Sequence, residues 1–85
     1  MLAILREELG EARLTQAKVL EIGCSTGIIG MFLAPYVAAL VGIDIDVSAV
    51  AAAHDRTHLP NISFRVGDAM ALDAADASVD VVLCS

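Results

Sequence analysis

At 85 residues the chain has room for one domain at most. With 58% hydrophobic residues and a mean hydropathy of +0.75 it is too apolar to be disordered. No uninterrupted apolar run reaches the roughly 18 residues of a membrane span, and Arg6, Glu7 and Glu8 interrupt the N-terminus where a signal peptide needs an uncharged core. Eleven acidic against five basic residues give a net charge of −6, which argues against nucleic acid as a partner of this segment and for an acidic cytosolic protein.

From Met1 to Leu14 the apolar residues Leu2, Leu5, Leu9 and Ala12 recur at three and four, with Arg6, Glu7, Glu8 and Glu11 between them. That spacing predicts an amphipathic helix. Lys18 to Ile22 reads as a short apolar strand bearing one acid, Glu21. Gly23 to Gly27 is a turn. Helical spacing resumes from Ile28 to about Ala38, and Pro35 should end that helix early by removing a donor. Leu40 to Ile45 is a continuous apolar strand, buried on both faces. Asp46 or Ser48 can cap a further helix through Val50 to His54. Leu59 to Asn61 is a loop, Ile62 to Val66 an alternating strand, Gly67 to Ala77 an Asp-rich loop, and Val79 to Cys84 a fourth strand. Cys24 and Cys84 show no metal-ligand spacing and read as reduced thiols.

Strands alternating with helices imply an α/β fold with a parallel sheet and right-handed crossovers. Ligands of such sheets bind outside the carboxyl ends of the strands. Three acids recur there: Glu21 near the end of the first strand, Asp44 at the second, Asp68 just after the third. All three are expected to face one crevice. Gly23 and Gly27 let the backbone turn sharply and approach a ligand. Asp44 can accept hydrogen bonds from vicinal ribose hydroxyls, and Asp68 one from an exocyclic amine. Negative charge at Glu21 suits a cationic ligand group and repels a phosphate.

VLEIGCSTG, from Val19, resembles the glycine-rich first motif of class I S-adenosylmethionine-dependent methyltransferases. VGIDID, from Val41, resembles their second-strand motif, and VGDAMALDAADASVDVVLCS, from Val66, the segment leading into their fourth strand. The resemblance spans about Lys18 to Ser85. It implies a Rossmann-like sheet of about four strands in order 3-2-1-4, with residues 1–14 as an N-terminal helix and 18–85 as the cofactor-binding half of a methyltransferase domain. It also implies roles for single residues. The Gly23–Gly27 turn, with Gly23, Cys24, Ser25 and Gly27 as its named contacts, would lie against the methionine portion of S-adenosylmethionine, with Glu21 supporting its ammonium side. Asp44 would hold the ribose and Ile45 would pack on adenine. Asp68 would bind the adenine amine, the Ala69 amide would reach a ring nitrogen, and the Ser85 backbone would line the site. The methyl acceptor would be a small molecule, and no residue is assigned as a catalytic base or metal ligand. One position departs from the family pattern: Ser25 stands where the central glycine is expected, and its hydroxymethyl group either hydrogen-bonds the cofactor or crowds it.

Gly23-Cys24-Ser25-Thr26-Gly27 also satisfies the G-x-S-x-G nucleophile elbow, so an α/β-hydrolase with Ser25 as nucleophile is the alternative. It needs a histidine, and His54 and His58 read as exposed polar residues near a helix end. A nicotinamide-binding fingerprint fails, because Ser25 and Ile28 occupy its second and third glycine positions. A phosphate loop fails for want of Gly-Lys-Ser/Thr. A further expectation is a non-catalytic, truncated fragment whose exposed fourth-strand edge invites self-association.

Overall fold

The computed structural model describes residues 2–68 and 79–84. Two short helices replace the single one expected at the N-terminus: α1 (Leu2–Leu9) and α2 (Glu11–Gln16). Gly10 separates them with φ 79° and ψ 157°, a backbone shape that no helix contains. The Gly10 N–H still closes α1 on the Arg6 carbonyl at 2.8 Å, and the Gly10 carbonyl starts α2 by accepting from Leu14 N–H at 3.0 Å. Leu5 and Leu14, on either side of the break, are both buried, so the kink lets two short helices cover the sheet where one straight helix would not.

The strands are β1 (Lys18–Ile22), β2 (Ala39–Asp44), β3 (Ile62–Val66) and β4 (Val81–Cys84). β2 begins and ends one residue earlier than its apolar run suggests, which leaves Ile45 beyond the strand. β4 begins two residues later than expected, and most of the Gly67–Ala77 loop lies outside the described residues. Asp80 aligns β4 with β1: its N–H donates to the Lys18 carbonyl at 2.8 Å, and its carboxylate accepts from Lys18 N–H at 2.9 Å.

α3 (Ile28–Leu33) passes into a single 3-10 turn at Ala34–Tyr36, where Pro35 has no N–H to continue the α-helix. Asn61 caps this ending by donating from Nδ2 to the carbonyls of Ala34 (2.7 Å) and Val37 (3.1 Å). α4 (Val47–Arg56) extends the expected helix in both directions. Its N-cap is Asp46, whose Oδ1 accepts from Ser48 N–H at 3.0 Å and Ala49 N–H at 3.1 Å.

All pairings are parallel and the order is β3-β2-β1-β4, as expected. Val19, Leu40, Ile62 and Phe64 on one face of the sheet form the core with Leu33 and Ala34 from α3 and its 3-10 turn, and Val50 and Ala53 from α4. Glu21, Gly42 and Phe64 stand in one register row. Gly42 is small because the row is full. A Cβ there would lie 2.7 Å from Phe64 Cδ1 and 2.8 Å from Cys24 Cβ. Among the described residues no helix is long and apolar enough to cross a membrane.

Gly42→Ala should therefore destabilise the fold by about 1–3 kcal/mol through overpacking, read from chemical denaturation. Asp46→Ala should cost about 1 kcal/mol in the same measurement by removing the cap of α4.

Candidate functional site

The site is built where the carboxyl ends of β1, β2 and β3 meet. After Ile22 the chain turns back through three left-handed residues: Gly23 (φ 75°), Ser25 (φ 49°) and Gly27 (φ 84°). Four backbone donors fix this turn. Gly23 and Cys24 both donate to the Ile43 carbonyl at 2.9 and 3.0 Å, Gly27 donates to the Cys24 carbonyl at 2.9 Å, and Ser25 donates to Asp44 Oδ2 at 2.9 Å. Gly27 must be glycine on two counts. Its φ is left-handed, and a Cβ would lie 2.8 Å from Phe64 Cζ and 2.9 Å from Ala53 Cβ. Ser25 takes the same region at a cost of about 1–2 kcal/mol for an L-residue.

Asp44 is the hub of this region. While Oδ2 accepts from Ser25, Oδ1 accepts from Asp46 N–H at 2.9 Å. These backbone donors, Asp46 first and Ser25 second, hold its carboxyl below the usual carboxylate range. Each carboxylate oxygen has two acceptor sites, so the group retains capacity for a ligand.

A crevice of about 210 Å³ opens beside it, lined by Gly23, Asp44, Ile45, Gly67 and Asp68 above Ile22 and Ile43. Gly67 is drawn in by donating to the Asp44 carbonyl at 3.0 Å. Ile45 is 73% exposed, an apolar side chain standing in the open beside the crevice. A second hollow of about 310 Å³ adjoins at Gly23 and is lined by Cys24, Ser25, Thr26, Ile28 and Ile29. Thr26 and Gly67, which fall inside the first and third motifs, line the site with them. Ile28 and Ile29 are lining residues to which the sequence assigned no role, since they follow the turn as the first residues of α3.

Of the three acids, Asp44 and Asp68 meet in the crevice and Glu21 does not. Glu21 is completely buried. Its Oε1 lies 3.1 Å from where a Cβ on Gly30 of α3 would be. The reason is its level in the sheet. It pairs with Gly42, two residues below Asp44, and so points into the face that the helices cover. Its charge still reaches the turn. Burial first, then Glu21, then Asp44 push the buried Cys24 thiol up to about 11. Ala69 and Ser85 lie outside the described residues.

Neither histidine weighed for the hydrolase alternative approaches Ser25. His54 sits in the last turn of α4 and His58 just beyond it, both exposed. α4 starts at the carboxyl end of β2, and the chain then enters β3 from the opposite end of the sheet, so both histidines stand away from Ser25.

Comparison with known proteins agrees with this geometry. Residues 19–85 match the model of a methyltransferase domain. A protein of Mycolicibacterium smegmatis described as a probable S-adenosylmethionine-dependent methyltransferase is 38% identical over 65 residues, 76% of this chain and 24% of that protein. The crystal structure of the YcgJ protein of Bacillus subtilis superposes with a TM-score of 0.80 at 26% identity, over 98% of this chain and 36% of that one. Phosphoethanolamine N-methyltransferase 1 of Haemonchus contortus, in complex with phosphoethanolamine and S-adenosylhomocysteine, superposes with a TM-score of 0.76 at 32% identity, over 84% of this chain and 16% of that one. The chain thus spans well under half the length of each of these relatives. With the family match running from β1 to the last residue and a similar fold in a solved N-methyltransferase, the chain belongs to the class I S-adenosylmethionine-dependent methyltransferase family.

Proposed function

We propose that this chain binds S-adenosylmethionine across the crevice and the adjoining hollow, and so provides the donor side of methyl transfer to a small-molecule acceptor. The observation that carries the reading is the meeting of Asp44, Ile45 and Asp68 around one crevice that begins at Gly23. The donor set suits a nucleoside. Asp44 has acceptor sites left for vicinal ribose hydroxyls, and Asp68 can accept from the adenine amine. Ile45 offers an exposed apolar surface that a flat base would cover. The turn from Gly23 to Gly27 would carry the methionine portion, with Cys24 packed beneath it. Glu21 favours the cationic end through its field rather than by contact. Ala69 and Ser85 remain in the site on family resemblance alone.

When bound, S-adenosylmethionine supplies an electrophilic methyl group on its sulfonium. The chain's own residues bind and orient it, and alignment of donor with acceptor is the main demand of such a transfer. A small-molecule acceptor is supported by the phosphoethanolamine held by one structural neighbour and by the net charge of −6. The two free thiols accord with a reducing, cytosolic setting.

Isothermal titration with S-adenosylhomocysteine tests the reading. The folded wild-type chain should bind, Asp44→Ala should lose at least about tenfold in affinity, and Asp68→Ala should lose less. Absence of binding by the folded wild-type chain would end the proposal. The pH profile is a second check. Because the folded chain holds the Asp44 carboxyl below its ordinary value of 3.8, the ionised form persists across the neutral and mildly acidic range. Affinity should be flat from about pH 8 to 5 and fall only below about pH 4. The stability from its hydrogen bonds follows the same sign: present above the unfolded value, lost as pH drops through the lowered folded one.

A further inference from the structure

Ser25 adopts a left-handed conformation that serine rarely takes, between two glycines that take it freely. The surroundings impose it. Its N–H is held by Asp44, and the residues on both sides are tied to Ile43 and Cys24 carbonyls. A glycine at this position would build the same turn with less strain. Ser25 is also exposed, so its side chain adds nothing to the core. Strain kept at a site, with no packing return, points to a use for the side chain.

The lining of the adjoining hollow suggests that use. Gly23, Cys24, Ser25, Thr26, Ile28 and Ile29 include no lysine, arginine or histidine. If adenosine occupies the crevice at Asp44 and Asp68, the amino-acid end of the cofactor falls over this hollow, since the two spaces meet at Gly23. That end carries an ammonium and a carboxylate. Buried Glu21 and nearby Asp44 provide negative charge for the first. Among the described residues of this lining, the second meets neutral donors. The side-chain donors in this lining with a hydroxyl are Ser25 and Thr26. Of the two, Ser25 is the one whose side chain is retained at a cost in backbone strain.

We infer that the Ser25 hydroxyl donates a hydrogen bond to the carboxylate of the bound cofactor and thereby sets the site's preference for the intact amino-acid end. The inference rests on the proposed S-adenosylmethionine site.

The test compares S-adenosylmethionine with its decarboxylated form, by titration into wild-type, Ser25→Gly and Ser25→Ala chains, with thermal melting of each free protein. Ser25→Gly should melt a few degrees higher, as the strain is relieved. It should nonetheless bind S-adenosylmethionine about tenfold more weakly, while affinity for the decarboxylated form stays unchanged. Ser25→Ala should show the same selective loss without the gain in melting temperature. Undiminished binding of S-adenosylmethionine by Ser25→Gly overturns the inference alone. So does an equal loss for both ligands, which would assign the effect to turn shape. A folded wild-type chain that binds neither ligand removes the proposed site as well.

Discussion

The carboxylate of Asp44 is the interaction on which the rest of the site depends. It joins the turn after β1, through Ser25 N–H, to the approach of α4, through Asp46 N–H, and it stands at the last residue of β2. One charged group thus fixes the relative positions of three elements at the edge of the crevice. Hydrogen bonds to a charged acceptor are roughly twice as strong as neutral ones, and these two donors are both backbone groups that cannot rotate away. Asp46, held in this way, then turns its own carboxylate to the first turn of α4. The N-cap of α4 and the shape of the glycine-rich turn therefore share an anchor.

Beneath this anchor, close packing sets the height of the turn. The Phe64 ring lies against the Cα positions of both Gly27 and Gly42, which a Cβ at either would contest. Cys24 fills the space next to Gly42 from above. Glu21 and Leu40 meet α3 at Gly30, where a Cβ would lie 3.1 Å from the Glu21 carboxylate and 3.2 Å from a Leu40 methyl. Small residues at three levels let α3 and the turn settle close to the sheet. That closeness brings Ser25 N–H within reach of Asp44.

Much of this was legible in the sequence, and what was not has identifiable causes. β1 and β3 match their expected limits because alternation and short apolar runs have few other interpretations. The sheet order followed from family resemblance, with right-handed crossovers as the physical basis for its parallel strands. The break at Gly10 was missed because Leu5, Leu9 and Ala12 keep helical spacing across it, and a lone glycine does not announce its φ. Asp44 and Asp68 were placed together correctly, since both follow the end of a strand. Glu21 was not, because whether an acid tops a strand or lies one level lower depends on register, which only pairing reveals. The left-handed φ of Ser25 was equally hidden. A serine in a turn suggests a hydrogen bond before it suggests strain.

The distribution of charge also explains why the nicotinamide and phosphate-loop readings fail on physical grounds and not only on motif. A glycine turn leading into a helix is the usual cradle of a pyrophosphate, where backbone donors and a positive field favour the anion. Here Glu21 is buried behind the turn and Asp44 is bound to it; burial foremost, and then these two acids, raise the Cys24 thiol pKa. The smaller, coulombic part of that shift, from Glu21 and Asp44, also disfavours a phosphate passing over the same turn. The same backbone shape can therefore serve opposite ligands. In this chain the two acids weigh against the phosphate.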